Sequence, residues 1–233
     1  MTRKEDLDKF YKLLDIIEKK VGGKRNLGEL KANLNLPRRG VYFFFSFNET
    51  ISSSRQMRVT RIGTHAVSKN SKTRLWNRLS NHRGTLAGSR PGGGNHRGSV
   101  FRKIVGESII IYNNLAEDFP NWSIGSSAPS EIKDEEYRLE KLVSEYIRKL
   151  PFLWVEIDDE SNKFSNRKVI ERNSIALLSN YNNKAIDPRS REWLGKYSPR
   201  VKIKNSGLWN SDHIDEDYDP NFLELLRRYI DAM

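Results

Sequence analysis

Gly40-Val41-Tyr42-Phe43-Phe44-Phe45 is a run of strand-forming residues set off by Pro37, and it commits this part of the chain to a sheet. Alternation sends Tyr42, Phe44 and Ser46 to one face and Val41, Phe43, Phe45 and Phe47 to the other. Asn48 to Gln56 is polar and reads as a loop, after which Met57 to Gly63 returns with alternating apolar positions, giving a β-hairpin. A helix follows in which Arg74, Arg78 and His82 recur every four residues beside Leu75 and Leu79, so the three polar groups share one face. Strand, strand and helix each deliver a polar group.

The rest of the chain supplies cover. Leu7, Phe10, Tyr11, Leu14 and Ile17 recur at helical spacing within a helix over residues 4–20 that Gly22-Gly23 ends, and Gly28 to Asn35 reads as a short link. The spacing of Phe101, Ile104 and Val105 predicts a helix over 99–111 that runs into a short strand, Ile109–Tyr112. Residues 113–130 read as loop. Glu135 to Leu150 is an amphipathic helix with Leu139, Leu142, Val143, Tyr146 and Ile147 inward and its charges outward, and Phe152 to Asp158 is a third strand. On the next helix Glu171, Ile175 and Leu178 share a stripe, which places a carboxylate beside large apolar groups. Its burial there demands a base, a metal or a position at the mouth of the core. Trp193, Leu208 and Trp209 pack a C-terminal extension onto the core, and the acids between Asp212 and Asp219 are read as solvated.

Charge is unevenly placed. The net charge is +11, and from Arg38 to Lys103 there are 14 Lys and Arg against the single acid Glu49, whereas residues 111–233 carry 18 against 22 acids. A basic face so confined fits a polyanion, nucleic acid first. Arg74, Arg83, Arg90, His96, Arg97, Arg102 and Lys103 are the expected contacts. The glycine-rich loop 84–98, which repeats Asn-His-Arg-Gly at 81–84 and 95–98, is expected to order on phosphate. The absence of cysteine excludes disulfides and thiolate metal sites. No apolar run approaches membrane-spanning length and the N-terminus has no signal-peptide pattern, so a cytoplasmic location is expected.

The order of these parts resembles the GIY-YIG nucleases. Gly40-Val41-Tyr42 stands for that family's first motif, Ile62-Gly63 for the end of its second, Arg78 and His82 for its helix pair, and Glu171 for its metal-binding glutamate. Arg61 stands where the family usually has a tyrosine. The family's asparagine falls at Asn183 or, with one deletion, at Asn182. The resemblance implies an α+β fold: a small three-stranded antiparallel sheet flanked by helices within residues 37–183, with a large insertion at about 84–150. A helical arm, 1–36, precedes this domain, and an extension, 184–233, follows it.

It also implies a chemistry. Glu171 would hold a hydrated Mg²⁺ (or Mn²⁺), Arg78 would stabilise the transition state, and Tyr42 would be the general base. Asn182 or Asn183 would hold Glu171 or the backbone around it. An unperturbed tyrosine titrates near pH ~10, and Arg61 and Arg78 would supply the field it needs near neutrality. His65 is either a polar strand end or a substitute for the missing tyrosine, and the residues leave both open. The function implied is a metal-dependent endonuclease on double-stranded DNA, restriction-like and sequence-specific, for which cutting both strands favours a homodimer. The alternatives are a structure-specific DNA or RNA nuclease and an inactive nucleic-acid-binding protein.

Overall fold

The computed structural model describes residues 2–31, 34–162 and 164–233; residues 32 and 33 of the expected link lie outside the described residues. The architecture is α+β: one sheet and, among the described residues, eight α-helices. The sheet has four strands, not three, in the order β1 (Arg25–Asn26), β4 (Pro151–Glu156), β2 (Gly40–Thr50), β3 (Met57–Gly63), all antiparallel. The added strand is two residues between Gly22-Gly23 and the expected link, too short to leave a periodic signal. They pair with Phe152 and Pro151.

Strand β2 is central, and its two faces fill two cores. Val41, Phe43 and Phe45 pack under α1 (Arg3–Val21), α6 (Asn166–Leu178) and α8 (Phe222–Ala232), through Phe10, Leu14 and Ile17, Ile170 and Ile175, and Phe222, Leu226 and Ile230. Tyr42 and Phe44 face α2 (Leu75–Arg83), α3 (Val100–Tyr112) and α5 (Tyr137–Arg148), with Trp193 and Trp209 beside them. Two short helices complete the set, α4 (Ser130–Glu135) and α7 (Val201–Ser206). The insertion, with α2 and part of the C-terminal extension, therefore covers one face of the sheet, and α6 with the first and last helices covers the other. At the N-terminal end Thr2 and Glu5 form a capping box, and Gly22 closes α1 in the left-handed region at φ 77°.

Two expectations change. Residues 109–112 continue α3 instead of forming a strand: Val105 and Ile109, four apart, are both buried while Ile111 is 45 % exposed, the pattern of a helix face. The hairpin is longer and its loop shorter, because β2 runs on to Thr50 after a bulge. Phe44 pairs with Arg61 but Phe45 with Val59, which leaves Thr60 as the extra residue in β3. Beyond this shift Phe47 is exposed and Glu49 is buried against Arg58 at 2.6 Å. Among the described residues no helix is long and apolar enough to cross a membrane.

Candidate active site

The register of the hairpin explains the glycines. Tyr42 lies opposite Gly63, and a Cβ on Gly63 would come 2.2 Å from the Tyr42 hydroxyl oxygen, so the ring can cross the neighbouring strand only where that strand lacks a side chain. A Cβ on Gly40 would meet the Val155 carbonyl oxygen at 2.4 Å. Both glycines permit close approach.

The fully buried Tyr42 hydroxyl lies 2.8 Å from His82 Nε2, and His82 Nδ1 lies 2.9 Å from Ser99 Oγ. Burial holds the His82 ring well below its ordinary pKa, with Arg78, Arg61 and Arg102 acting in the same direction, so the imidazole is neutral. Ser99 Oγ caps α3 by accepting the Arg102 N–H at 3.3 Å. The arrangement that uses each group once has the Ser99 hydroxyl donating to Nδ1 and Nε2–H donating to the Tyr42 oxygen. Tyr42 is then an acceptor toward His82, and its remaining valence faces Arg61 and Arg78.

Arg61 is buried. Its Nη1 donates to the Trp209 carbonyl at 2.5 Å and its guanidinium carbon sits 4.6 Å from the centre of the Phe101 ring. Burial lowers its pKa, against the pull of Tyr42 and Glu171. For Arg78 the balance is reversed: Tyr42 is the largest influence and raises it. The Nε atoms of Arg61 and Arg78 are buried and have no hydrogen-bond partner among the described residues. Two unsatisfied donors beside one hydroxyl suit an incoming oxyanion.

Glu171 closes the site from α6. Its Oε1 accepts the Thr64 N–H at 2.9 Å, one residue past Gly63, and its other oxygen has no hydrogen bond among the described residues. Burial raises its pKa, while Thr64, Arg61, His213 and Arg78 pull the other way. No group of three or more metal-ligating side chains occurs among the described residues. A lone carboxylate with a free oxygen fits a hydrated divalent cation that keeps most of its waters, and does not fit a cage of protein ligands.

His65 is buried with its ring pushed down to about 4, chiefly by burial and further by Arg167, Arg78 and Arg39. Its Nε2–H donates to the Arg38 carbonyl at 3.3 Å, because a carbonyl only accepts, and Nδ1 is left without a partner. Asn182 and Asn183 are not brought to the site: α6 ends at Leu178, both side chains are exposed, and Asn182 reaches only the Asp215 carbonyl at 3.4 Å. The asparagine that braces the motif is Asn210. Its side chain accepts from the Ile62 N–H at 3.1 Å and donates to the Ile62 carbonyl at 2.8 Å.

That bracing belongs to a segment whose packing was expected and whose contact with the site was not. Trp209 N–H donates to the carbonyl of the bulged Thr60 at 2.7 Å, so Leu208–Asn210 runs along β3 and holds Arg61. Three residues on, His213 adopts φ 63°, its Nδ1 lies 2.7 Å from Glu216 Oε1, and Glu216 also pairs with Arg172, the neighbour of Glu171. Glu216 is thus not a purely solvated acid. The Trp209-Asn210 pair was the available signal, and it has no period to betray a strand-like partner.

The expected nucleic-acid contacts divide. Arg74 is exposed at the start of α2. The insertion's cations turn inward: Arg97 forms a fork on Glu136 at 2.5 and 2.8 Å, and Arg102, with no exposed surface, binds Glu140, Ser144 Oγ at 2.9 Å and the His82 carbonyl at 2.9 Å. His96 bonds Glu140 at 3.0 Å through Nδ1 and stacks on Trp122 at 3.7 Å. Arg83 is taken by the Leu30 carbonyl, Arg90 by Asp134 at 2.7 Å, and Lys103 is half-buried. A guanidinium whose donors are spent on buried carboxylates has none left for phosphate, which corrects the reading of Arg97 and Arg102 as contacts. The acids responsible, Glu136 and Glu140, are 3 % and 5 % exposed and not on the solvent face expected of them. The glycine-rich loop 84–98 is tied by Thr85 N–H to the Gly93 carbonyl and Gly92 N–H to the Thr85 carbonyl, both at 2.9 Å.

A search of the curated proteins and of the solved structures finds no match to the chain. A family model described as a GIY-YIG domain matches residues 1–233. That match takes in the arm over α1 and the segment that braces β3 as well as the hairpin and Glu171, and on it the chain belongs to the GIY-YIG family of nucleases, whose substrates are nucleic acids.

Proposed function

We propose that this chain is a divalent-metal-dependent endonuclease that hydrolyses phosphodiester bonds in double-stranded DNA. The observation that carries the reading is the convergence of Tyr42, Arg61, Arg78 and Glu171, from β2, β3, α2 and α6, on one point where two guanidinium Nε atoms lack partners. Phosphodiester hydrolysis needs a water stripped of a proton, neutral surroundings for the charge gathering on phosphorus, and relief of charge on the departing oxygen.

Glu171 would hold the cation through the oxygen that Thr64 leaves free, and the bound Mg²⁺ or Mn²⁺ supplies charge neutralisation at the phosphate. Tyr42 would be the general base toward the attacking water. His82 Nε2–H keeps that oxygen oriented, and Ser99 fixes the tautomer that lets it do so. Arg78 and Arg61 donate to the non-bridging oxygens as the phosphorus becomes pentavalent. Arg61, at the position where the resemblance leads one to expect a tyrosine, would supply charge instead of a second hydroxyl.

The test is digestion of plasmid, modified and unmodified genomic DNA, and RNA by wild type, Glu171→Ala and Tyr42→Phe, in Mg²⁺, Mn²⁺ and EDTA. Metal-dependent DNA fragments lost in both variants are expected, and discrete bands would identify sequence-specific, restriction-like cutting by paired chains. Intact DNA in every tube, with all three proteins still bound to it, would sink the DNA-endonuclease reading.

A further inference from the structure

Two segments border a groove of about 860 Å³ next to the site, one over 67–72 after the second motif and one, between β4 and α6, that contributes residues 160–162 and Phe164. Arg38, Arg39, Lys69 and Lys72 line it, with Glu160 the one acid in the lining. Arg38, Lys69 and Lys72 are exposed, and among the described residues none of the three forms an ion pair with a carboxylate. The loops are joined at the base, where the Ser161 hydroxyl donates to the Ser71 carbonyl at 3.2 Å. Phe164 stands at the rim with 78 % of its surface exposed, the largest exposure among the large hydrophobic side chains described.

The groove is continuous with the site through two consecutive residues. Thr64 N–H holds Glu171, and the ring of His65 donates to the carbonyl of Arg38, whose side chain lines the groove. The same carbonyl accepts the N–H of Leu75, which starts α2, so the wall of the groove and the helix that carries Arg78 are fixed to one point. Beyond Arg38 the cationic lining continues into a second hollow of about 930 Å³ with Lys20, Arg25 and Lys31, where Glu29 and Glu156 also occur.

From this geometry we infer that the groove binds the sugar–phosphate backbone of the nucleic acid strand leading away from the scissile phosphate, with Phe164 stacking on an unpaired base of that strand. Clustered cations that outnumber the carboxylates beside them release counterions when a polyanion replaces their solvent, and an exposed ring at the rim of such a groove gives a base a flat apolar surface. The inference deepens the nuclease reading by assigning the strand's path and a preference for unstacked nucleotides. It depends on that reading only for which phosphate is cut.

The experiment measures binding in EDTA, where cleavage plays no part, to labelled blunt duplex DNA, duplex with a single-stranded overhang, and single-stranded DNA and RNA over a range of salt. Lys69→Glu/Lys72→Glu is expected to weaken binding to all of them by about tenfold or more and to lower the slope of log affinity against log salt by about two. Phe164→Ala is expected to weaken the single-stranded and overhang probes by about fivefold or more and to leave the blunt duplex within about twofold. The more strongly weakened of the DNA and RNA series identifies the backbone that the groove takes. All three positions are on loops, and unchanged circular dichroism establishes that the variants fold.

If the double variant binds within about twofold of wild type with the same salt slope, the groove is not the path. Should wild type and double variant then cleave alike in Mg²⁺, the nuclease reading survives and the groove alone is lost. An equal effect of Phe164→Ala on duplex and single strand overturns the stacking contact. Failure of wild type to bind any probe overturns the whole inference.

Discussion

Between Arg90 and Arg102 the insertion sets three arginines and a histidine against Asp134, Glu136 and Glu140, whereas Arg38, Lys69, Lys72 and Arg74 face solvent with no carboxylate paired to them among the described residues. In sequence the two groups look alike, since both lie in the stretch with one acid. The difference arises because the carboxylates that close the insertion come from α4, α5 and the residue that joins them, some 40 residues downstream. Local charge density therefore overstated the cationic surface of the insertion. The charge enclosed there serves structure: Arg102 holds the His82 carbonyl, and Ser99 holds the ring.

The sharpest break between the two kinds of charge is a pair of carboxylate variants. Glu171→Ala should reduce cleavage by roughly 10³-fold or more, since the proposed ligand of the cation is removed, while the melting temperature holds or rises because a carboxylate raised by burial is removed. Glu140→Ala should do the opposite. It leaves Arg102 buried without its counter-charge, at a cost of about 3–5 kcal/mol in urea unfolding, and cleavage by the fraction still folded should survive. Equal loss of activity in both would erase the distinction.

Next in size is a pH effect. His65 is held down to about 4 by burial and then by nearby arginines, so below its ordinary value the unfolded chain binds a proton that the folded chain refuses. Stability from this group is complete above about pH 6.5 and drains away as pH falls toward 4, by about 3 kcal/mol in all. His65→Asn should flatten denaturation midpoints measured across that window, and an unchanged slope would mean that the ring is solvated.

Ser99→Ala probes the link between the regions. It removes both the α3 cap and the partner of His82 Nδ1, so a loss of about 1 kcal/mol in stability should accompany a fall in cleavage of roughly tenfold or more. Loss of stability alone would leave the tautomer without a role. The smallest effect belongs to Arg90→Ala, which breaks a solvent-facing pair with Asp134; an unchanged denaturation midpoint and unaltered nucleic-acid binding are expected.

Much of the hairpin was legible because period two is a strong signal. The two faces of Val41–Phe45, the helix carrying Arg78 and His82, and Glu171 on a later helix all follow from spacing. What spacing could not carry is pairing between distant segments. Nothing near Thr60 announces the bulge that opens its carbonyl to Trp209, and the two residues of β1 are too few to alternate. The placing of Asn182 and Asn183 failed for a similar reason: counting along α6 assumed that the helix continued past Leu178, where Ser179 instead turns the chain into extended backbone.

The bulge also bears on how one molecule meets another. Strand β3 is the last in the sheet, and its outer side would otherwise offer free N–H and carbonyl groups to any passing strand. Trp209 and Asn210 cap that side by engaging Thr60 and Ile62. A chain cut before Gly207 would thus lose the support of Arg61 and, in the same stroke, expose an adhesive edge: inactivation and self-association should come together.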